Sequence, residues 1–200
     1  MAESLFIQVF PQPALANPNV ATPTFVNSVA ATSQTLTFSA FAWIVNAGDV
    51  SYPGNPFGVP LEPQPTFTFA SSNTGIATIN SSTGVATGVS AGICSIEVTC
   101  TISGTTYSGS GLFGVALISP ASATVSPNST QAFTCVSPAQ WASGNSNLIS
   151  GILPDTSDAS ASSVTAYSTG NSGATSIYAA VGGSWSGPNV VIAQASVTVS

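Results

Sequence analysis

Two hundred residues, 44% of them hydrophobic, carry six carboxylates and no lysine, arginine or histidine, for a formal charge of −6. Such a chain cannot clamp phosphate with a cation, close an internal salt bridge to a basic side chain or run histidine acid/base chemistry. Most enzyme classes are therefore disfavoured, and nucleic acids and anionic membranes, which call for basic partners, are poor ligands.

The longest apolar run, Leu112 to Ile118, falls far short of the roughly 20 residues of a membrane-spanning helix, so no membrane insertion is expected. Short segments rich in Val, Ile, Thr, Phe and Tyr recur between clusters of Gly, Ser, Asn and Pro. No stretch holds a helical apolar period, and the whole chain reads as antiparallel β. Its first strand is Leu5-Phe6-Ile7-Gln8-Val9-Phe10, followed by prolines. This segment is either strand one of a sandwich or a strand that adds to a neighbouring subunit's sheet edge, which makes Leu5, Phe6, Ile7, Val9 and Phe10 candidate partner-binding residues. Ala14-Leu15-Ala16 behind it imitates a leader cleavage site, but Glu3 stands where a basic region belongs and Pro11 and Pro13 interrupt the apolar core, so a cleaved leader is not expected. Two proline-rich stretches, Pro11 to Thr24 and Pro53 to Pro65, have no counterpart later in the chain and read either as subunit contacts or as rigid loops.

An internal repeat sets the domain count. Gln34-Thr35-Leu36-Thr37-Phe38-Ser39 matches Gln131-Ala132-Phe133-Thr134-Cys135-Val136, with a tryptophan after each, Trp43 and Trp141. Gly84 to Ile96 is echoed by Val164 to Ser168 and Gly173 to Ile177. Within it lies the clearest strand, Ile93 to Ser103, where Cys94, Ile96, Val98, Cys100 and Ile102 share one parity and Ser95, Glu97, Thr99, Thr101 and Ser103 the other, one face core and one face solvent. Two related β-sandwich domains, 1–118 and 119–200, follow, with the strand Leu112 to Ile118 closing the first and the boundary at Ser119-Pro120.

Ala70-Ser71-Ser72-Asn73-Thr74-Gly75-Ile76-Ala77-Thr78-Ile79-Asn80, continued by Thr83-Gly84-Val85-Ala86-Thr87-Gly88-Val89-Ser90-Ala91-Gly92 and an alternating strand, resembles the bacterial Ig-like group 2 (invasin/intimin-type) domain. Pro120 to Phe133 resembles that family's opening strands. The resemblance implies two tandem immunoglobulin-like sandwiches of about 80 to 100 residues each. It brings no catalytic residues, and implies the spacer and adhesive roles such modules fill in bacterial surface proteins and in the structural proteins of tailed phages. Both domains should then place Trp43 and Trp141 in their cores. The polar, glycine-containing stretch Asn145 to Asp158 departs from the pattern and should replace a tidy strand pair with a loop.

The remaining chemistry is thin. Cys94 and Cys100 share one strand about 20 Å apart and cannot pair; with Cys135 on an inward face, all three read as small buried core residues, and without histidine they offer zinc little. Asp155 and Asp158 lack the spacing and extra acids of a calcium loop and read as a solvated turn. Leu153-Pro154-Asp155-Thr156-Ser157 nearly spells a sortase signal but has Ser157 in place of the required glycine, and lysine-dependent isopeptide cross-links are excluded. Asn80-Ser81-Ser82 and Asn128-Ser129-Thr130 are formal glycosylation sequons in predicted turns. Trp185, flanked by Gly and Ser at a predicted hairpin tip, is a candidate for stacking on a sugar or anchoring a subunit. No cofactor and no metal is expected. These residues describe a non-enzymatic structural component present in many copies, partnered by capsid, tail or like subunits: a virion-surface decoration or tail protein first, and alternatively a bacterial cell-surface adhesin or extracellular filament subunit, with surface-glycan binding as a further reading.

Overall fold

A computed structural model describes residues 3–11, 26–46, 59–156, 159–183, 185 and 189–200, and all regular structure among them is β. The expected strand at Ile93 to Ser103 is β9 (Gly92–Ile102), and it turns through Ser103 and Gly104 into β10 (Thr105–Val115). Both turn residues have positive φ, 50° and 82°, the pair of left-handed conformations that a two-residue hairpin matched to strand twist requires. Cys94, Ile96, Val98 and Cys100 are buried, as their parity demands. This hairpin is flanked by β2 (Ser28–Val29) on one side and β6 (Thr68–Ser71) on the other. Two three-stranded sheets complete the first unit: β1 (Glu3–Phe10), β4 (Ser39–Asn46) and β5 (Val59–Pro60); and β3 (Thr35–Thr37), β8 (Val85–Gly88) and β7 (Ala77–Ile79). All three sheets close on one core in which Phe38, at the bend between β3 and β4, stacks edge-on against Phe113 at 5.6 Å.

The second core lies within one continuous sheet path, β12 (Ser122–Val125), β17 (Val191–Val199), β16 (Gly173–Val181), β13 (Thr130–Ser143), β15 (Ala161–Ser168) and β14 (Ile149–Leu153), with β11 (Ile118–Ser119) on β13. The path is continuous because β13 serves both strands: Thr130–Thr134 and, after a register shift, Ala139 pair with β15, and Ala139–Ser143 pair with β16. The sheet thereby wraps around Phe133, Trp141, Val164, Ile177 and Val197.

The backbone repeats between the units. Asn73 Oδ1 accepts the Gly75 amide at 3.0 Å and Asn145 Oδ1 the Asn147 amide at 2.9 Å. The amide of Ser72 donates to Ser95 and that of Gly144 to Ser176, both at 2.9 Å. The Asn73 and Asn145 amides donate to the hydroxyls of Ser71 and Ser143, at 3.2 Å each, and two residues before those serines stand Phe69 and Trp141, opposite Val98 and Ala179. The first-unit counterpart of Trp141 is therefore Phe69. Trp141 is a core residue as expected, whereas Trp43 is only half-buried on β4, because the chain between Gln34 and Ser71 is far longer than that between Ser129 and Ser143. The strand match also slips by two: Gly88 donates to the Gln34 carbonyl and Ser168 to that of Ser129, which aligns Phe38 with Phe133 and not with Cys135. Cys135 stays buried because a slip of two preserves its face.

Two more expectations need correction. The stretch after Asn145 forms a strand, β14, with an irregularity between Ile149 and Gly151. The strand expected over Leu112 to Ile118 breaks at Ala116 (φ 47°), and Leu117 and Ile118 turn into the second core.

Candidate functional site

Along β1, Leu5, Ile7 and Val9 face the core, opposite Ile44, Ala42 and Ala40. Phe6, Gln8 and Phe10 take the other face, opposite Trp43, Phe41 and Ser39. Gln8 is buried there, but Phe6 is 45% and Phe41 43% exposed. Phe10 and Phe41 meet edge to face with centroids 6.0 Å apart, and Trp43 Nε1 is buried with no hydrogen-bond partner among the described residues. Of the candidate residues on this strand, Phe6 and Phe10 thus share an aromatic face with Phe41 and Trp43, and the other three build the core. The sequence signal for Phe41 was its alternation with Ala40 and Ala42, legible once the strand pairing is known.

Among the described residues β1 is an end strand of its sheet, whereas the outer edge of β4 is covered. β1 pairs with β4 over its whole length, and its other side lies against β10, where a Cβ on Gly109 would stand 2.5 Å from the Ile7 carbonyl oxygen. Beyond β4, the strand β5 is two residues long and ends in Pro60, which has no N–H to offer. Past it Gln64 substitutes for a strand: its Oε1 accepts the Ala42 amide at 2.8 Å, and its Nε2 donates to the Ala42 and Leu61 carbonyls at 3.1 and 2.6 Å.

Trp185 stands in the β16–β17 connection, as expected, but is half-buried against the cluster of Tyr178, Ala180, Val190 and Ile192, which Val26 of the first unit also covers. The same junction holds Asn27, a fully buried polar residue that no motif or period marks in the sequence. Its Nδ2 donates to Val190 and Leu112 carbonyls at 3.0 and 3.3 Å, its Oδ1 accepts the Ile192 amide at 2.8 Å, and Ser28 Oγ donates to the Ile192 carbonyl at 2.8 Å.

Reactive groups are scarce. Cys94, Cys100 and Cys135 are free and buried, and burial pushes each thiol above its usual pKa. Among the described residues no three His, Cys, Asp or Glu side chains gather where a metal could bind, and no helix is long and apolar enough to cross a membrane. Asp158, positions 12–24 of the first proline-rich stretch and 53–58 of the second lie outside the described residues. Asn80 and Asn128 are exposed in turns; Asn80 Oδ1 accepts the Ser82 and Thr83 amides at 3.0 and 2.9 Å, and Asn128 has φ 56°.

No protein-family model matches the chain, and no curated protein does. Among solved structures it is similar to the S-layer protein rSbsC, at 14% identity over 82% of this chain and 23% of that one, TM-score 0.31. It is also similar to SGBP-B of the Bacteroides ovatus mixed-linkage glucan utilization locus, solved in complex with a mixed-linkage heptasaccharide, at 15% identity over 100% of this chain and 47% of that one, TM-score 0.27. The immunoglobulin domains 1–5 of Sidekick-1 match at 17% identity over 96% of this chain and 39% of that one, TM-score 0.27. The chain spans less than half the length of each.

Proposed function

We propose that the chain is a non-enzymatic structural module of an extracellular or cell-surface assembly, an adhesin or filament subunit built from two Ig-like units of the bacterial group 2 kind. The observation that carries this reading is the aromatic outer face of β1 and β4, where Phe6 and Phe41 remain exposed beside Phe10 and Trp43. Exposed aromatics on a chain without cations favour contact through apolar area, and the partner is a like subunit meeting the same uncharged face. The virion reading draws on no separate feature of the fold and is set behind this one. Such a contact holds in salt, because screening weakens charges and not apolar burial.

Sedimentation velocity over a range of concentrations tests it. Association that persists in molar salt and is lost in the Phe6→Ser/Phe41→Ser variant is expected. A chain that stays monomeric throughout overturns the contact. Immunogold microscopy of the native source decides the location: label on cell surfaces or fibres is expected, and label confined to phage particles would restore the virion reading.

A further inference from the structure

Resting on that reading of a module inside a surface assembly, we propose that the chain resists tension, each of its units carrying a shear clamp formed by a parallel strand pair. In the first unit β2 runs parallel to β10, Ser28 beside Gly114 and Val29 beside Val115. In the second β12 runs parallel to β17, from Ser122 beside Ser196 to Val125 beside Val199. In both, an early strand lies next to the last strand and points the same way. Tension that enters upstream and leaves downstream drags such strands past each other, so all their hydrogen bonds stretch together. An antiparallel pair pulled at adjacent ends opens one bond at a time.

The bonds that flank the clamps are well formed: Gly114 and Ala116 amides donate to Asn27 and Val29 carbonyls at 3.0 and 2.8 Å, and Ser196 and Ser200 amides to Ala121 and Val125 carbonyls at 3.0 Å each. The units are joined without slack, since Val115 ends one clamp and Leu117 is already buried in the next core. β2 is also held from the second unit, because Asn27 and Ser28 bond to Val190 and Ile192. The first unit therefore cannot release β2 into the junction while the start of β17 stays in place.

Single-molecule force spectroscopy on the full chain tests this through direction. Tethered by its two termini, the second unit loads β12 against β17 in shear. Tethered through Ser172→Cys and the C-terminus, it loads β16 and β17 from the end where Gly173 faces Val199, which unzips them. Because Cys94, Cys100 and Cys135 are buried, the introduced thiol is the reactive one. A several-fold higher unfolding force end to end is expected, lowered by Ala123→Pro inside the β12 ladder, with the unzipping force unchanged. Equal forces in the two directions overturn the proposal, and this comparison stands even if the proline variant does not fold. Self-association plays no part in the readout, so failure of the contact face and failure of the clamp are told apart.

Discussion

The side-chain oxygen of Asn27 accepts the backbone amide of Ile192 at 2.8 Å, although one residue precedes the first clamp and the other lies on the last strand of the second unit. The bond has a topological cause. β16 pairs with β17 along its whole length, but β12 covers the opposite edge only from Ser196 onward, which leaves the backbone groups of Val190 and Ile192 that point to that edge without a strand partner in their own unit. Asn27 and Ser28 supply the missing donors and acceptors from outside, and so make the two units depend on each other.

Replacing Asn27 by alanine leaves the Ile192 amide and the Val190 carbonyl buried without partners, at about 1–3 kcal/mol for each group. The expected result is a lower urea midpoint and, because the junction is weakened, a single unfolding transition that divides in two. A variant with an unchanged midpoint would show that water replaces the amide at no cost.

Gly114 tests the same junction from the packing side. A Cβ there would sit 2.6 Å from both Leu117 Cδ1 and Val191 Cγ1, so Gly114→Ala should destabilise by about 1–3 kcal/mol through overpacking. Gly183, whose added Cβ meets nothing within 4 Å among the described residues beyond its chain neighbours, is the control, and Gly183→Ala should leave thermal stability essentially unchanged. Equal effects at both positions would remove the steric account.

What the sequence made legible was the alternation within strands and the existence of a repeat; what it hid were offsets that alternation does not register. Cys94, Ile96, Val98 and Cys100 are buried because period two leaves them no other face. The same period conceals a slip of two, which is how Phe38 could be set against Cys135 when Phe133 is its structural partner. Trp43 imitated Trp141 by spacing alone, since an enlarged connection in the first unit moves Phe69 into the tryptophan's place. Asn27 could not be found at all, because its role comes from an edge left open more than 160 residues downstream, and local pattern carries no trace of such a pairing.

The buried thiols make alkaline pH a probe of the cores. Desolvation raises the folded pKa of Cys94 and Cys135 above the free value of 9.0, so the folded chain holds protons that the unfolded chain releases. This contribution is fully present below pH 9.0 and is lost as pH rises through the folded values. Urea midpoints measured upward from pH 8 should therefore fall on the alkaline side, and the slope should flatten in a Cys94→Ala/Cys135→Ala variant. An unaltered slope in that variant would assign the decline to other groups.

Trp141 is held by three side-chain bonds, one of them donated by Thr156 Oγ1 to its carbonyl at 3.5 Å, and a pair of substitutions at Thr156 can separate that residue's share from packing. Its backbone amide donates to the buried Thr156 Oγ1 at 2.7 Å, and its indole Nε1 donates to the Ala161 carbonyl at 2.8 Å. Thr156→Val keeps the shape of the side chain and removes the acceptor, leaving the Trp141 amide unpaired at a cost of about 1–3 kcal/mol. Thr156→Ser keeps the acceptor and removes one methyl, about 1 kcal/mol of apolar burial. If the hydrogen bond holds the tryptophan in place, valine lowers the denaturation midpoint more than serine and shifts the native tryptophan emission to longer wavelength, whereas serine leaves the emission where it was. The opposite ranking would mean that Thr156 acts here through its methyl group, and that packing alone positions Trp141.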